Sequence, residues 1–559
     1  MENKRNISVL ELVFISSFFL FGLFKEYSSC IYTFICGLLL AINWNRASKI
    51  TAYFNFNHFT IWVLTAGYFF TCFYGTDRGM SFIGLMKFLG VLFFLGLISP
   101  LNNFEKSRLF QMIPFSGVIM TFIGIIGWFI SPMHQFFYVA ERLGGFFQYP
   151  NVYALFCLLG ILLIMEDFQL YPKSGIFILS TLFLGILLSG SRTVFFLSLL
   201  SLAVIILRRK IFLKFIFPTV FLLIVVAVIY SFVSGNTQNL GRFLTSSFSS
   251  STLIGRIIYW KDGFHELLRH PFGLGYLGYY FKEFDIQTAS YSVRYIHNDF
   301  LQLALDTGIF PGILFILMCI QTLFFRKMSL EKKLCITVMC LHFFMDFDLE
   351  FTSMWYIFLL FTANDHNPTF LTCKTRKSGI CFYILVSCLS LYVGLAMFPR
   401  YLGKQQLTAR ILPIYTENNI ELLSTETDPD TAAILANRIL KQNPYIYTAY
   451  DIKALLAFQS QDYENLIHAK EKSLSLQKYN IEAYDNYLNL LSLALTDAVY
   501  TNNKSAATAL INAALNVPEI LEKVKQDTTP LAYHTKDTPS FTLSSSSMDF
   551  LQQLSSLSQ

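Results

Sequence analysis

The sequence predicts an all-α protein: a polytopic membrane helix bundle of about 13 transmembrane helices, followed by a C-terminal α-helical repeat domain. Of the 559 residues, 54% are hydrophobic and only 14% are charged, whereas soluble globular chains carry about 25% charged residues. The apolar residues come in serial stretches long enough to span a bilayer. After Arg400 the composition becomes polar, and the sequence repeats with a period of 34 residues.

Each transmembrane helix is predicted from an apolar run, because a hydrocarbon core of about 30 Å needs about 20 residues of helix. The predicted spans are 8–24, 28–44, 57–74, 81–98, 110–131, 151–165, 174–190, 194–208, 211–234, 303–325, 334–348, 351–364 and 379–398. The first run follows Lys4 and Arg5, but no small-x-small cleavage site comes after it. We therefore interpret it as an uncleaved first helix.

The positive charges of the loops predict the orientation. Every loop on the side of the N-terminus carries Lys or Arg, and the positive-inside rule makes that side cytoplasmic. The sequence thus predicts a multi-pass protein of the cytoplasmic (inner) membrane, with two long outside loops at about 132–150 and 235–300. The net charge of +6 belongs to helix ends rather than to one basic face, so we expect no nucleic-acid partner.

The sequence divides into a membrane domain at 1–400, a tetratricopeptide-like helical domain at 401–525 and a disordered Ser/Thr/Gln-rich tail at 526–559. Ala449-Tyr450 recurs as Ala483-Tyr484, which is the tetratricopeptide period of 34 residues. The topology places this domain outside the cytoplasm, where it offers a surface to a protein partner.

The loops predicted to lie outside hold positive charges that the positive-inside rule disfavours. These residues are Arg142, Arg192, Arg242, Arg256, Arg269, Arg294, His270 and His297. Cations beside apolar helices on this side of the membrane suggest a site for an anion.

Two of these arginines stand next to predicted helix starts. Arg142 precedes Pro150-Asn151, and a helix that begins there presents free N–H groups to an anion. Arg192 ends the short hairpin Ser189-Gly-Ser-Arg between two spans, where an arginine needs a partner or a cavity. The alternatives are a simple turn with a solvated Arg142, and an Arg192 that reaches the lipid headgroups.

A third segment combines an arginine with a tryptophan. Arg256 and Trp260 are four residues apart, so they share one face of a helix. A guanidinium suits phosphate oxygens, and an indole offers a face to a sugar ring; the alternative is an amphipathic segment at the membrane surface. The glycines at 273, 275 and 278 have the spacing of a dinucleotide fingerprint, but no strand precedes them, and we interpret them as a tight turn.

The last two segments contain histidines. A histidine titrates near neutral pH and takes a proton from a hydroxyl, so His297 is a candidate base that Asn298 or Asp299 would orient. The alternative is a histidine with a purely structural role. His342 and Asp346 are one helical turn apart at the end of the eleventh span. Ionisable groups within an apolar run are usually functional, with bonding between helices as the structural alternative.

Together these segments resemble the O-antigen ligase family, the membrane glycosyltransferases that include bacterial O-antigen ligases, related polymerases and protein O-oligosaccharyltransferases. The resemblance covers about residues 110–360. It rests on R-x-x-G…PN, SR after a span, GR-x-x-x-W followed by HP-x-G-x-G, HN-x-x-LQ and H-x-x-x-D. It implies a fold similar to the GT-C glycosyltransferases, and transfer of a glycan from undecaprenyl diphosphate to an acceptor hydroxyl at the outer face of the membrane.

The resemblance also implies roles for individual residues. His297 would activate the acceptor hydroxyl, and Arg192 and Arg256 would hold the diphosphate, without a metal ion or another cofactor. The remaining candidates for substrate binding are Arg142, Asn151, Trp260, Asn298, His342 and Asp346.

Three acceptors remain open: lipid A-core for an O-antigen ligase, a protein Ser or Thr for an oligosaccharyltransferase, and a lipid-linked glycan for a polymerase. Membrane lipid surrounds the chain in each case. The alternative from another class is a transporter or flippase of a lipid-linked or anionic substrate. Such proteins are typically built from two related halves with a site near the midplane, and the sequence has no such internal symmetry.

Overall fold

The computed structural model describes residues 2–46, 51–166, 172–208, 251–362, 369–372 and 376–557. This part of the chain is all-α, as the sequence predicts, with two small antiparallel sheets. The helices up to residue 400 are α1 (Glu2–Phe19), α2 (Glu26–Arg46), α3 (Phe56–Tyr74), α4 (Arg78–Ile98), α5 (Asn103–Trp128), α6 (Ser131–Phe137), α7 (Pro150–Glu166), α8 (Pro172–Ser189), α9 (Arg192–Arg208), α10 (Ser251–Arg269), α11 (Gly278–Ile286), α12 (Asp299–Thr307), α13 (Ile309–Phe325), α14 (Leu330–Phe343), α15 (Thr352–Thr362) and α16 (Arg376–Met397). The strands are β1 (Thr51–Phe54), β2 (Tyr138–Val139), β3 (Arg142–Leu143) and β4 (Thr369–Thr372).

The helices agree with the predicted membrane spans. Every predicted span falls on a described helix, except the span at 211–234, which lies in the stretch that the structure does not describe. Helices α2, α4, α5 and α16 are long and apolar enough to cross a membrane on their own, and five shorter apolar helices accompany them. The chain is thus a polytopic helical membrane protein.

One predicted span is divided in the structure. The run at 303–325 forms two helices, α12 and α13, which meet at Gly308. Gly308 has a φ of +107°, a conformation that residues with a side chain rarely adopt. The span predicted to end at 348 is also shorter, because α14 ends at Phe343 and Asp346 lies in the following loop.

Helix α4 forms the centre of the membrane bundle. Nearly all of its residues are buried, and it contacts α2, α3 and α15. Helix α2 packs closely along α16, where a Cβ atom on Gly394 would lie 3.0 Å from the carbonyl oxygen of Tyr27. Small residues allow such close approach between membrane helices.

The glycine-rich segment between α10 and α11 is a tight turn, as predicted. Gly273 and Gly275 have φ values of +92° and +84°. The N–H groups of Leu274 and Gly275 donate to the carbonyl oxygens of Leu305 and Asp306 at 2.6 Å and 3.1 Å. The turn therefore fixes the α10–α12 loop, the residues between Arg269 and Asp299, to the end of α12.

Eight further helices follow the membrane bundle: α17 (Gln405–Ile411), α18 (Thr416–Leu423), α19 (Pro429–Gln442), α20 (Tyr447–Gln459), α21 (Tyr463–Ser475), α22 (Ile481–Tyr500), α23 (Lys504–Asp527) and α24 (Ser545–Leu557). Helices α21 and α22 each begin 34 residues after α19 and α20 respectively.

The sequence predicts a disordered tail at 526–559, whereas the structure has helix α24 at Ser545–Leu557. Leu551 and Leu554 of this helix are buried against the neighbouring helices. Their apolar packing stabilises the helix although the segment as a whole is rich in Ser and Thr.

The C-terminal helices α17–α24 dock onto the rest of the chain at several points. The buried carboxylate of Asp77, between α3 and α4, accepts hydrogen bonds from Gln442 Nε2 and Asn443 Nδ2, each at 3.1 Å. The N–H of Thr529 donates to the carbonyl oxygen of Thr288 in the α10–α12 loop at 2.9 Å. The C-terminal helices and the α10–α12 loop therefore lie on the same side of the membrane bundle.

This topology predicts the side of the membrane on which the C-terminal helices lie. A reporter protein fused after residue 405 should report an extracytoplasmic location, because the predicted number of spans is odd. A fusion after Met328, in the basic loop between α13 and α14, is the control and should report the cytoplasm. A cytoplasmic signal from the fusion after residue 405 would remove one span from the topology.

Candidate functional site

His297 and Asp346, which the sequence places in separate motifs, form a hydrogen-bonded pair. His297 Nδ1 lies 3.1 Å from Asp346 Oδ1. The Asp346 side chain is 3% exposed, whereas the His297 side chain is 22% exposed. A neutral imidazole that donates its Nδ1–H to a carboxylate keeps its basic lone pair on Nε2. The pair thus holds an accessible base in one orientation.

The backbone at His297 is in a sparsely populated conformation. Its φ is +50°, which is uncommon for a residue other than glycine. Such conformations persist only where the surroundings enforce them, and they cluster at functional sites. Neighbouring contacts enforce it here: Trp260 Nε1 donates to the carbonyl oxygen of Ile296 at 2.8 Å, and the N–H of Ile296 donates to Gln302 Oε1 at 3.0 Å.

The residues expected to orient His297 have other partners. Asn298 Oδ1 accepts a hydrogen bond from the N–H of Leu301 at 3.1 Å and caps α12. The Asp299 carboxylate accepts from the N–H of Leu349. Asp346 therefore orients His297 in place of Asn298 or Asp299, and a contact between Asn298 and substrate stays a prediction.

Asp346 is held by donors from a second part of the chain. Tyr149 OH donates to Oδ1 at 2.9 Å, and Asn151 Nδ2 donates to Oδ2 at 2.7 Å. Burial alone would raise the pKa of Asp346, but the hydrogen bond to His297 and nearby positive charges, including Arg256, lower its pKa below the ordinary value. The carboxylate that faces the imidazole is therefore ionised.

Asn151 connects the pair to Arg142 and to the hairpin that carries Arg192. Arg142 Nη2 donates to Asn151 Oδ1 at 2.7 Å, and Arg142 Nε donates to the carbonyl oxygen of Ser189 at 2.8 Å. Ser189 ends α8, and Gly190, with a φ of +60°, turns the chain into α9 at Arg192. One chain of hydrogen bonds therefore runs from this hairpin to the histidine, with Arg142 and Asn151 inside it.

Two arginines lie near this chain of hydrogen bonds. Arg256 on α10 lies close enough to Asp346 and Tyr149 to influence their ionisation, and its buried Nε has no hydrogen-bond partner in the part of the chain that the structure describes. Arg192 is half-buried at the start of α9 and forms no ion pair with any described residue. Arg294, by contrast, is paired with Glu26 and Glu417.

Trp260 and His342 make contacts that support the chain around His297. The Trp260 ring packs against Phe344 with 5.3 Å between centroids, in addition to its hydrogen bond to the backbone before His297. His342 is buried, with Nδ1 2.6 Å from Asp348 Oδ2. The sequence singled out both as candidates for substrate binding, and the structure gives both of them contacts that fix the loops around His297.

Tyr149 was not among the residues that the sequence singled out. It lies directly before the Pro150-Asn151 motif, and its ring also packs on Phe347 at 4.6 Å between centroids. The sequence signal that could have pointed to Tyr149 is its position beside a predicted helix start.

Within the described ranges, no group of three or more His, Cys, Asp or Glu side chains is arranged to hold a metal ion.

Comparison with family models identifies this region. Residues 177–316 match the model described as O-antigen ligase. The chain carries an O-antigen ligase domain. Together with the polytopic helical fold, the match supports a membrane glycosyltransferase of the O-antigen ligase or polymerase type, a family that in general uses a lipid-linked glycan donor and a glycan acceptor. No curated protein and no solved structure matches the chain.

The O-antigen ligase match contains only part of the site. Arg192, Arg256 and His297 fall within residues 177–316, whereas Arg142, Asn151 and Asp346 fall outside them. The hydrogen bonds to Asp346 thus join the matched domain to α7 and to the loop before α15. The candidate site therefore combines residues within the matched range with residues that precede and follow it.

Proposed function

We propose that this chain transfers a glycan from undecaprenyl diphosphate to an acceptor hydroxyl at the outer face of the cytoplasmic membrane. The supporting observation is the His297–Asp346 pair, joined by hydrogen bonds to the hairpin of Arg192 and close to Arg256. The pair supplies a base, and the arginines supply positive charge for a diphosphate. The O-antigen ligase domain supports a lipid-linked donor.

His297 acts as the general base in this proposal. Its Nε2 takes the proton of the acceptor hydroxyl while the hydroxyl oxygen attacks the anomeric carbon of the donor glycan. The bond between that carbon and the phosphate oxygen breaks, and its electron pair leaves with undecaprenyl diphosphate. Asp346 holds the ring and stabilises the imidazolium that forms, as carboxylates do for histidine bases.

Arg192 and Arg256 hold the leaving diphosphate. Negative charge develops on the phosphate oxygen as the glycosidic bond breaks, and preorganised positive charge at that point often lowers the barrier more than any other single effect. A guanidinium presents several N–H donors in one plane, which matches the oxygens of a phosphate. The apolar helices around the hairpin offer a surface to the prenyl tail.

The chemistry is the same for each acceptor, so the acceptor must be found by experiment. Lipid A-core, a protein hydroxyl and a second lipid-linked glycan each present an alcohol to His297, and the C-terminal helices offer a surface to a partner protein. Deleting the gene and identifying which glycoconjugate disappears distinguishes the three. A transporter or flippase would move the lipid-linked glycan across vesicles without forming product, which separates that class from a transferase.

We expect Arg192→Ala and Arg256→Ala each to reduce glycan transfer by about 10²–10³-fold, the usual loss for one donor at a developing anion. Transfer is measured with a labelled lipid-linked donor in isolated membranes, with Arg269→Ala, an exposed arginine on α10, as the matched control. Lysine at either position should restore only part of the rate, because an ammonium group lacks the planar fork. Wild-type transfer by the double alanine variant would exclude the phosphate role.

We expect His297→Ala to lose about 10²–10⁴-fold in transfer rate, the usual contribution of a general base. Binding of the lipid-linked donor should persist, since both arginines remain. The exposed His265 on α10 provides the control, and His265→Ala should transfer at close to the wild-type rate. A His297→Ala variant with undiminished transfer would show that the base is another group.

A further inference from the structure

Arg294 lies three residues before His297 and joins two distant parts of the chain. Its Nη2 donates to Glu26 Oε1 at 2.8 Å, at the start of α2. Its guanidinium also forms an ion pair with Glu417, in the first turn of α18. The segment that leads into His297 is therefore fastened both to the membrane bundle and to the C-terminal helices.

The burial of these carboxylates makes the pairing strong. The side chain of Glu26 is 5% exposed and that of Glu417 is 9% exposed. Removing one partner from a buried ion pair leaves an uncompensated charge, which is strongly destabilising. Glu417 has a second cation at 3.3 Å, Arg400 Nη1, so loss of the Arg294 contact need not unfold the C-terminal helices.

A second ion pair lies close to Asp346, the residue that hydrogen-bonds His297. Glu350 follows Asp346 by four residues and forms a buried ion pair with Lys87 of α4 at 2.8 Å. Lys87 Nζ also lies 3.4 Å from Tyr276 OH, which donates to Glu26 Oε1 at 3.1 Å. These contacts define one ionic cluster, consisting of Glu26, Lys87, Tyr276, Arg294, Glu350 and Glu417.

We infer that Arg294 is a positioning residue for His297, and that Glu417 makes the C-terminal helices part of the scaffold of the active site. The inference rests on the proposed function of His297 as the base. The ionic cluster holds the chain within four residues of both His297 and Asp346. The left-handed backbone at His297 needs such support, and a small displacement of a catalytic group costs rate even when substrate still binds.

The test compares two carboxylates on one helix. Glu417→Gln removes the charge that faces Arg294, while Glu421→Gln removes the charge of a side chain that is 44% exposed and pairs only with Arg400 among the described ion pairs. We expect Glu417→Gln to lower kcat on the order of 10–10²-fold with an unchanged KM for the lipid-linked donor, because Arg192 and Arg256 stay in place. Glu421→Gln should stay within about twofold of wild type.

Arg294→Lys and Arg294→Met provide a second series. Lysine keeps the charge but lacks the fork that reaches both carboxylates, so kcat should lie between that of wild type and that of Arg294→Met. Rates are expressed per folded molecule, from gel filtration and thermal unfolding in detergent. A loss of product that only follows the folded fraction would mean a structural role and overturn the inference.

Equal kcat values for Glu417→Gln and Glu421→Gln would also overturn it. Failure of the proposed function is a separate outcome, because it would appear as an absence of glycan transfer by the wild-type protein in the same assay. Unchanged kcat in Arg294→Met, with active wild-type protein, would overturn the inference and leave the proposed function standing.

Discussion

The hydrogen bond between His297 and Asp346 is the contact on which the site depends. A buried carboxylate is costly unless it is paired and hydrogen-bonded, and Asp346 obtains its donors from Tyr149, Asn151 and His297. Those donors come from the start of α7 and from the segment before α12. The need to satisfy one buried charge therefore draws together three parts of the chain that are far apart in sequence.

The α10–α12 loop and the C-terminal helices complete this arrangement. The glycine turn fixes the loop to the end of α12, and Trp260 holds the backbone next to His297. The C-terminal helices contact the same loop and supply Glu417 to Arg294. In the proposed reaction, rigid support matters because the base, the acceptor oxygen and the diphosphate must be aligned at once.

The sequence predicts most of the fold and most members of the site, but not Tyr149 and not the contacts between the members. Apolar runs reveal helices, and the positive-inside rule reveals cations in unexpected loops. The hydrogen bond between His297 and Asp346 joins residues 49 positions apart, and no spacing rule reports such a contact. Local signals therefore favoured Asn298 or Asp299 as the orienting residue, whereas Asn298 caps α12 and Asp299 accepts hydrogen bonds from the N–H of Leu349. Likewise, only the tertiary structure shows that Arg294 forms ion pairs with Glu26 and Glu417.

A double-mutant cycle on the transfer rate tests the central claim most directly. The purified protein in lipid vesicles is compared with His297→Ala, Asp346→Asn and the double variant. If Asp346 acts through His297, Asp346→Asn slows the wild-type enzyme strongly and has little further effect on His297→Ala, because residues that act as a unit are not additive. If the two losses multiply, the residues act independently, and the proposed role of the pair is contradicted.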